Sequence, residues 1–220
     1  MTNDISFFSG FQASDLLFLG EAALRTLWIS ALSISIGSAF GCVFGWATQA
    51  SPRIVSTLID TVLDIFRSVP LLIQLILFYN FFPIIGWNLG PFGSGVIVLT
   101  LYTSAMVSNV ARGGIDSVGL PMRRAARSLG LSYWQDLRHV VWPIGLRAIF
   151  PSWIGVALGV MKDSALVSVL GYVELLRASQ ILITRTQEPF IILAVSGAFY
   201  FALSYPLSKY SSKLEERWAS

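Results

Sequence analysis

The chain has 220 residues, of which 55% are hydrophobic and only 12% are charged. Because soluble proteins average about 25% charged residues, this composition excludes an ordinary soluble domain and indicates an integral membrane protein. The formal net charge of +3 does not indicate nucleic-acid binding, since the Lys and Arg residues lie beside apolar segments, where lipid asymmetry explains them.

The amino-terminal region predicts a first membrane span at residues 22–48. The twenty residues at the start lack a basic segment, so we predict no cleavable signal peptide, and the first span is expected to act as its own insertion signal. Gly37, Gly41 and Gly45 form one face of small residues. Such a face predicts close contact with a second subunit or, as we favour, with another helix of this chain.

The second predicted span covers residues 56–85 and contains Pro70. Proline removes a helical hydrogen bond, so we expect a kink or break there, in a protein-lined or wet environment that satisfies the freed backbone groups. Arg67 and Gln74 lie on either side of the proline. An arginine at a helix end is compatible with an interfacial position as well as with a functional one.

The third predicted span, residues 94–116, is followed by a basic stretch bounded by two prolines, Pro121–Pro143. Gly130 suits the left-handed residue that closes a helix, and Ser132 with Gln135 has the spacing of a capping box. The stretch therefore predicts two short helices joined by a corner, the second of which should end at its final proline because a helix interior excludes that residue.

We call residues 117–147, which contain this stretch, the elbow. It is too short and too charged to span a membrane. Its arginines and small alanines fit a docking element that enters a groove on another protein. An amphipathic connector resting on lipid headgroups explains the same residues equally well.

The fourth predicted span, residues 148–176, carries Lys162 and Asp163 near its middle. An ionisable residue at a helix centre costs about 2.5–3.5 kcal/mol on insertion scales, so both need partners or water. Adjacent helical residues point about 100° apart, so we predict that at least one faces a cavity, with an interhelical salt bridge as the alternative. A polar link then leads to the fifth predicted span, residues 189–208.

The distribution of Lys and Arg predicts an orientation with the amino terminus outside and the elbow and carboxyl terminus in the cytoplasm. Residues 1–220 are expected to form one all-α membrane domain. The chain contains no phosphate-binding loop and no metal-ligand spacing, so we predict neither an enzyme nor a metal site.

Several motifs resemble a known family. The run AARSLGLSYWQDLRHVVWP, residues 125–143, resembles the EAA loop of ABC-importer permeases. DIFRSVPLLIQL, residues 64–75, resembles the FRxxPLLxQ segment of the polar amino-acid branch, which serves histidine, glutamate, glutamine, arginine and opines. The resemblance implies the five-span fold of type I ABC-importer permeases, with a cytoplasmic EAA coupling-helix loop.

Two further motifs of this branch match, and three positions depart from it. The matches are RGGI at residues 112–115 and the KDSxL pattern at residues 162–166. Arg124 stands where the family usually has the Glu that names the EAA motif, which reverses the charge of a contact to the ATPase. Asn109 replaces an acidic residue, and Gly155 stands where many relatives have Asn.

The resemblance also implies roles for individual residues. Those expected to couple to the ATPase are Arg124, Ala125, Ala126, Leu129, Gly130, Leu131 and Trp134. Those expected to line the substrate pathway are Arg67, Gln74, Asn109, Lys162, Asp163 and Ser164.

The function implied is that of a permease subunit in the inner (cytoplasmic) membrane of a bacterium. With a second permease, identical or homologous, it would form the path for a polar amino acid or a related opine or amine. A dimer of ATPase subunits would bind ATP and Mg, a soluble binding protein would deliver substrate, and this chain would hold no cofactor and contact no nucleic acid. The alternatives are an ion-driven secondary carrier in which Lys162 and Asp163 relay protons, and a membrane anchor that recruits a soluble protein through the elbow.

Overall fold

The computed structural model describes residues 10–219, without the side chain of residue 219, and all regular structure in that range is helical. The first nine residues, part of the segment predicted to lack a signal peptide, lie outside the described residues, as does residue 220. The α-helices are α1 (Ala13–Ala50), α2 (Arg53–Ser68), α3 (Leu71–Ile84), α4 (Pro91–Asp116), α5 (Leu120–Ser128), α6 (Tyr133–Asp136), α7 (Trp142–Asp163), α8 (Leu175–Thr186) and α9 (Pro189–Ala219). A π-helical turn, Leu137–Val141, joins α6 to α7, and a 3₁₀ segment, Ser164–Leu170, follows α7.

Within residues 10–219, four helical runs are long and apolar enough to cross a membrane. They are Ala13–Ala50, Pro91–Asp116, Tyr133–Leu170 and Pro189–Trp218. Helices α2 and α3 pass the same test as a pair but are bent by 103° where they meet, so they add a fifth span if the pair is counted as one. The predicted all-α, multi-span fold is confirmed.

The outer surface supports a membrane environment. Leu17, Ile54 and Phe190 are each more than three quarters exposed, whereas Leu75 and Val98 are fully buried between helices. Water-soluble monomers rarely expose contiguous apolar surface on this scale. The helices therefore bury one set of apolar side chains against each other and present another set to lipid or to a further subunit.

The break between α2 and α3 occurs at the predicted proline. The side-chain amide of Gln74 donates hydrogen bonds to the carbonyl oxygens of Phe66, at 2.9 Å, and Val69, at 2.7 Å. The last carbonyls of a helix have no partner within the helix, so α3 supplies one for the end of α2. The interruption at Pro70 is confirmed, and its environment is protein.

The glycine face of α1 packs on α4. A Cβ atom added at Gly41 would lie 2.6 Å from the Val107 Cβ, and one added at Gly45 would lie 2.6 Å from the Ser108 carbonyl oxygen. Because real Cβ contacts are not that short, only glycine permits these two backbones to approach so closely. The contact with another helix of this chain, which we favoured, is confirmed.

The predicted end of the second elbow helix at Pro143 is wrong. The helical run continues from Tyr133 to Leu170, and Pro143 lies in the first turn of α7. A π-helical turn, Leu137–Val141, separates α6 from α7, so Pro143 falls at the start of α7, where a missing N–H costs no helical hydrogen bond. The elbow therefore passes directly into the fourth span.

Helix α8 occupies the segment that was predicted to be a polar link between the fourth and fifth spans. Glu174 caps its amino terminus, accepting hydrogen bonds from the N–H groups of Leu176, at 2.9 Å, and Arg177, at 2.8 Å. The same carboxylate is fully buried and accepts a hydrogen bond from the Tyr200 hydroxyl at 3.2 Å. Since Tyr200 belongs to α9, this one acidic residue ties α8 to the last helix.

Candidate functional site

The corner of the elbow has the geometry that its sequence predicts. Gly130 adopts φ +89°, a left-handed backbone that favours glycine. The Ser132 N–H donates to Gln135 Oε1 at 2.8 Å, and the Gln135 N–H donates to Ser132 Oγ at 3.4 Å. The capping box and the glycine corner are both confirmed.

A buried ion pair joins the two helices of the elbow. The Asp136 side chain is fully buried, and its Oδ2 accepts a hydrogen bond from Arg123 Nε at 3.1 Å. Arg127 Nη2 lies 3.6 Å from the same oxygen, and its guanidinium lies 5.5 Å from the centre of the Tyr133 ring. Asp136 is therefore the polar centre of the elbow.

Aromatic contacts fix the elbow to the end of α1. The Trp46 indole N–H donates to the Tyr133 hydroxyl at 3.2 Å, and the Trp46 and Trp134 rings lie 5.6 Å apart. Val118 and Val141 form a buried apolar cluster on the same side. The elbow is therefore packed against α1 as well as joined to α7.

The residues predicted to couple to an ATPase divide into exposed and buried sets. Leu129, at the corner, is 83% exposed, and Trp134 is 63% exposed. Arg124, Ala125 and Gly130 are also exposed, and Leu131 is half-buried. Ala126 is buried inside the elbow, and its carbonyl oxygen accepts hydrogen bonds from the N–H groups of Leu129 and Leu131. Of the predicted coupling residues, the exposed set lies at the surface of the elbow, whereas Ala126 does not.

A cavity of about 310 Å³, which we call the central cavity, lies between α4 and α7. Its lining consists of Tyr102, Met106, Ser152, Gly155, Val156, Gly159, Val160 and Asp163. A Cβ added at Gly155 or Gly159 would have no atom within 4 Å, so both glycines leave open space there. Among the predicted pathway residues, Asp163 alone lines this cavity.

Two other predicted pathway residues act in packing. Arg67 Nη1 donates to the Ala105 carbonyl oxygen at 3.2 Å, and the same guanidinium pairs with Asp64. This anchors α2 to α4. The Gln74 amide caps the end of α2 at the Pro70 break. Neither Arg67 nor Gln74 lines the central cavity.

The remaining three predicted pathway residues belong to α4 or α7 or directly follow α7, but they do not line the central cavity. Ser164 is fully buried, donates to the Met161 carbonyl oxygen at 2.7 Å and accepts from Ser30 at 3.0 Å. Lys162 and Asn109 are exposed. Within residues 10–219, neither Lys162 nor Asp163 forms a salt bridge, so the interhelical pair offered as the alternative is not observed.

Most of the cavity lining was not predicted from the sequence. Ser152, Gly155, Gly159 and Asp163 recur every three or four residues, and this spacing is a signal that they share one face of a helix. Tyr102 and the rest of the α4 contribution carry no such signal, because only tertiary packing brings that helix to this face. In the part of the chain that the structure describes, no group of three or more His, Cys, Asp or Glu residues is arranged to hold a metal ion.

Comparison with known proteins identifies the family. The model of the family described as "Binding-protein-dependent transport system inner membrane component" matches residues 37–213. The chain belongs to this family. The resemblance to ABC-importer permeases stated from the elbow is thereby confirmed, and the family membership favours an ABC permease over an ion-driven carrier.

Two curated relatives support the assignment to ABC-importer permeases. The chain is 33% identical over 218 residues, 97% of this chain and 99% of the relative, to the probable glutamine ABC transporter permease protein GlnP of Bacillus subtilis. It is 28% identical over 199 residues, 90% and 91% of the two chains, to the glutamine transport system permease protein GlnP of Escherichia coli strain K12. These relatives place the chain among the polar amino-acid permeases.

Solved structures show the same fold. A chain of an amino acid ABC transporter crystallised with histidines superposes with a TM-score of 0.83 at 30% identity, covering 91% of this chain and 94% of that one. A chain of the inward-facing methionine transporter MetNI superposes with a TM-score of 0.80 at 16% identity, covering 94% and 99%, and supports the fold alone. The fold is that of type I ABC-importer permeases.

Proposed function

We propose that this permease moves a polar amino acid through the central cavity, driven by an ATPase that binds the elbow. One observation carries the proposal: a single helical run, Tyr133–Leu170, begins in the elbow and contributes most of the cavity lining. A force applied to Trp134 at one end of this run changes the position of Asp163 near the other.

The cavity chemistry supports an amino acid as substrate. Asp163 supplies a carboxylate for an α-ammonium group, and Tyr102 and Ser152 supply hydroxyl groups. The two open glycines leave room for a ligand. The two curated relatives compared above are named for glutamine, so glutamine is the first substrate to test, and related opines or amines are the next.

The energy source in this proposal is a separate pair of ATPase subunits that bind ATP and Mg and dock on the elbow. This chain carries no catalytic role and holds no cofactor. A second permease, identical or homologous, completes the path, and a soluble binding protein delivers substrate from outside. The orientation follows the Lys and Arg distribution, with the elbow and carboxyl terminus in the cytoplasm of a bacterial cell.

The transport step in this proposal is a rocking of helices between two arrangements. The α1–α4 contact, packed backbone to backbone at Gly37, Gly41 and Gly45, moves as one unit. The bend at Pro70 and the π turn are the irregular points at which the remaining helices change direction. Packed elements of this kind switch between discrete states, which is what alternating access requires.

Uptake in proteoliposomes tests the proposal. The complex, with ATP enclosed and binding protein outside, is expected to accumulate labelled glutamine, and an ATPase variant that binds but does not hydrolyse ATP is expected to abolish accumulation. Accumulation by the permease without the ATPase, under a proton or sodium gradient, would contradict the proposal and favour the carrier. An intact complex that hydrolyses ATP but moves none of a panel of polar amino acids, opines and amines would also contradict it.

A further inference from the structure

A second cavity, of about 470 Å³, lies at the base of the elbow, where α5 approaches the ends of α1 and α4. Three arginines line it: Arg123, Arg124 and Arg127. We call it the arginine pocket. The EAA resemblance gives a role to Arg124 alone, and Asp136 pairs with Arg123 and Arg127, but neither accounts for the open space that the three guanidinium groups surround.

The charges of the arginine pocket are only partly compensated. Asp136 Oδ2 is shared by Arg123, at 3.1 Å, and Arg127, at 3.6 Å. Arg124 makes no hydrogen bond or ion pair with any residue from 10 to 219. Two carboxylates, Asp136 and the exposed Asp116 that is bound to Gln49, thus stand beside three positive groups, and neither is paired with Arg124. Like charges repel each other unless an anion lies among them.

The position of the pocket indicates which anion it takes. Gln49 and Ala50, the last residues of α1, line it together with Ile115, next to the last residue of α4. Helix α4, with 26 residues, is about 39 Å long, close to the thickness of a bilayer with its headgroups, so its end and the end of α1 beside it fall near the level of the lipid headgroups. The exposed side chain of Leu120 adds apolar surface beside the arginines.

A phospholipid combines the two properties that this lining requires. Its phosphate matches the planar fork of an arginine, which binds phosphate oxygens in pairs, and its acyl chains match the apolar side chains. Basic pockets beside membrane helices are typical sites for acidic headgroups. A zwitterionic headgroup also brings an ammonium group, which three arginines repel.

We propose that the arginine pocket binds the phosphate of an anionic phospholipid such as phosphatidylglycerol. In this proposal the Arg124 guanidinium, which has no ion-pair partner among residues 10–219, binds the phosphate. Asp136 holds Arg123 and Arg127 in position. The Gln49 side chain is held at the rim by its 2.6 Å hydrogen bond to Asp116. This site does not depend on which substrate is imported.

Native mass spectrometry of the detergent-purified full chain tests the proposal. The probes are phosphatidylglycerol and phosphatidylcholine with identical short acyl chains, and inorganic phosphate. Phosphatidylglycerol is expected to bind more tightly than phosphatidylcholine, and Arg124→Gln is expected to weaken it about fivefold, the effect of about 1 kcal/mol per arginine at an anionic surface. Arg138→Gln is the matched control, since Arg138 is an exposed elbow arginine that does not line the pocket, and no change is expected.

Several results would overturn the assignment. Equal binding of the two lipids, or equal losses in Arg124→Gln and Arg138→Gln, would show that the arginine pocket does not select an anionic headgroup. Binding of inorganic phosphate as tight as that of phosphatidylglycerol would make it a site for free anions. Displacement of the lipid by assembled ATPase subunits would assign the pocket to the protein partner.

Discussion

The side-chain nitrogen of Gln74 lies 2.7 Å from the carbonyl oxygen of Val69, across the break that Pro70 makes between α2 and α3. A break inside a membrane normally leaves carbonyl groups without partners, in a medium that offers no water. Here the helix after the break supplies the donor for the helix before it. The 103° bend between α2 and α3 is therefore stabilised by hydrogen bonds from the Gln74 side chain.

Replacing Gln74 with Leu should destabilise the chain by about 1–3 kcal/mol, because the carbonyls of Phe66 and Val69 lose their shared donor. The measurement is the thermal unfolding midpoint of the purified chain in detergent. Gln180→Leu, on the exposed side of α8, is the control and should leave the midpoint unchanged. Equal midpoints for the two variants would show that the cap does not hold the bend.

A methyl group at Gly41 should separate α1 from α4. The added Cβ would meet Val107 at 2.6 Å and the Ser104 carbonyl oxygen at 2.9 Å, and the second contact is with backbone that cannot rotate away. We expect Gly41→Ala to lower the unfolding midpoint by the equivalent of about 1–3 kcal/mol. Gly20→Ala, on the same helix with no atom within 4 Å, should be neutral or slightly stabilising. A Gly41→Ala midpoint as high as that of the control would contradict the close contact.

Apart from the membrane spans and the glycine face of α1, the features that the sequence predicted correctly are local ones. The Gly130 corner, the Ser132 cap and the break at Pro70 each depend on a few neighbouring residues whose backbone preferences no distant contact overrides. The prediction at Pro143 is wrong because it treated the proline as part of a helix interior, whereas the π turn before it places Pro143 in the first turn of α7. The burial of Asp136 depends on Arg123, thirteen positions earlier in the chain, and the central cavity depends on how α4 meets α7, so both required the tertiary structure.

Asp136→Asn should loosen the elbow. Arg123 and Arg127 would lose their common carboxylate, and a hydrogen bond to a charged group contributes about 1.5–3 kcal/mol. We expect faster cleavage by trypsin at the elbow arginines of the folded protein. Asp64→Asn, which removes the mostly exposed partner of Arg67, should change the cleavage rate little, as surface ion pairs contribute about 0–1 kcal/mol. Unchanged proteolysis of Asp136→Asn would show that the buried carboxylate does not organise the elbow.

Filling the central cavity should block transport without unfolding the protein. Gly159→Leu places a side chain in the open space of the cavity that Tyr102 and Asp163 also line. We expect ATP-driven uptake to fall at least about tenfold, which corresponds to the loss of about 1.4 kcal/mol of substrate binding. The unfolding midpoint should change little, because the space is open. Gly197→Leu, at an equally open glycine of α9 outside the cavity, is the control for uptake. Normal uptake by Gly159→Leu would remove the cavity from the pathway.

Photo-cross-linking from Leu129 is the most direct test of the claim that the elbow receives force from an ATPase. Leu129→Cys, in a Cys42→Ser background that removes the native exposed thiol, is labelled with a benzophenone maleimide in the transport-competent complex. Phe190→Cys, 88% exposed at the start of α9, is labelled in parallel as the control. We predict a cross-link from Leu129→Cys to the ATPase subunit, with a yield that changes on addition of ATP, and none from Phe190→Cys. A complex that still imports substrate but gives no cross-link from Leu129→Cys in any nucleotide state would contradict the account.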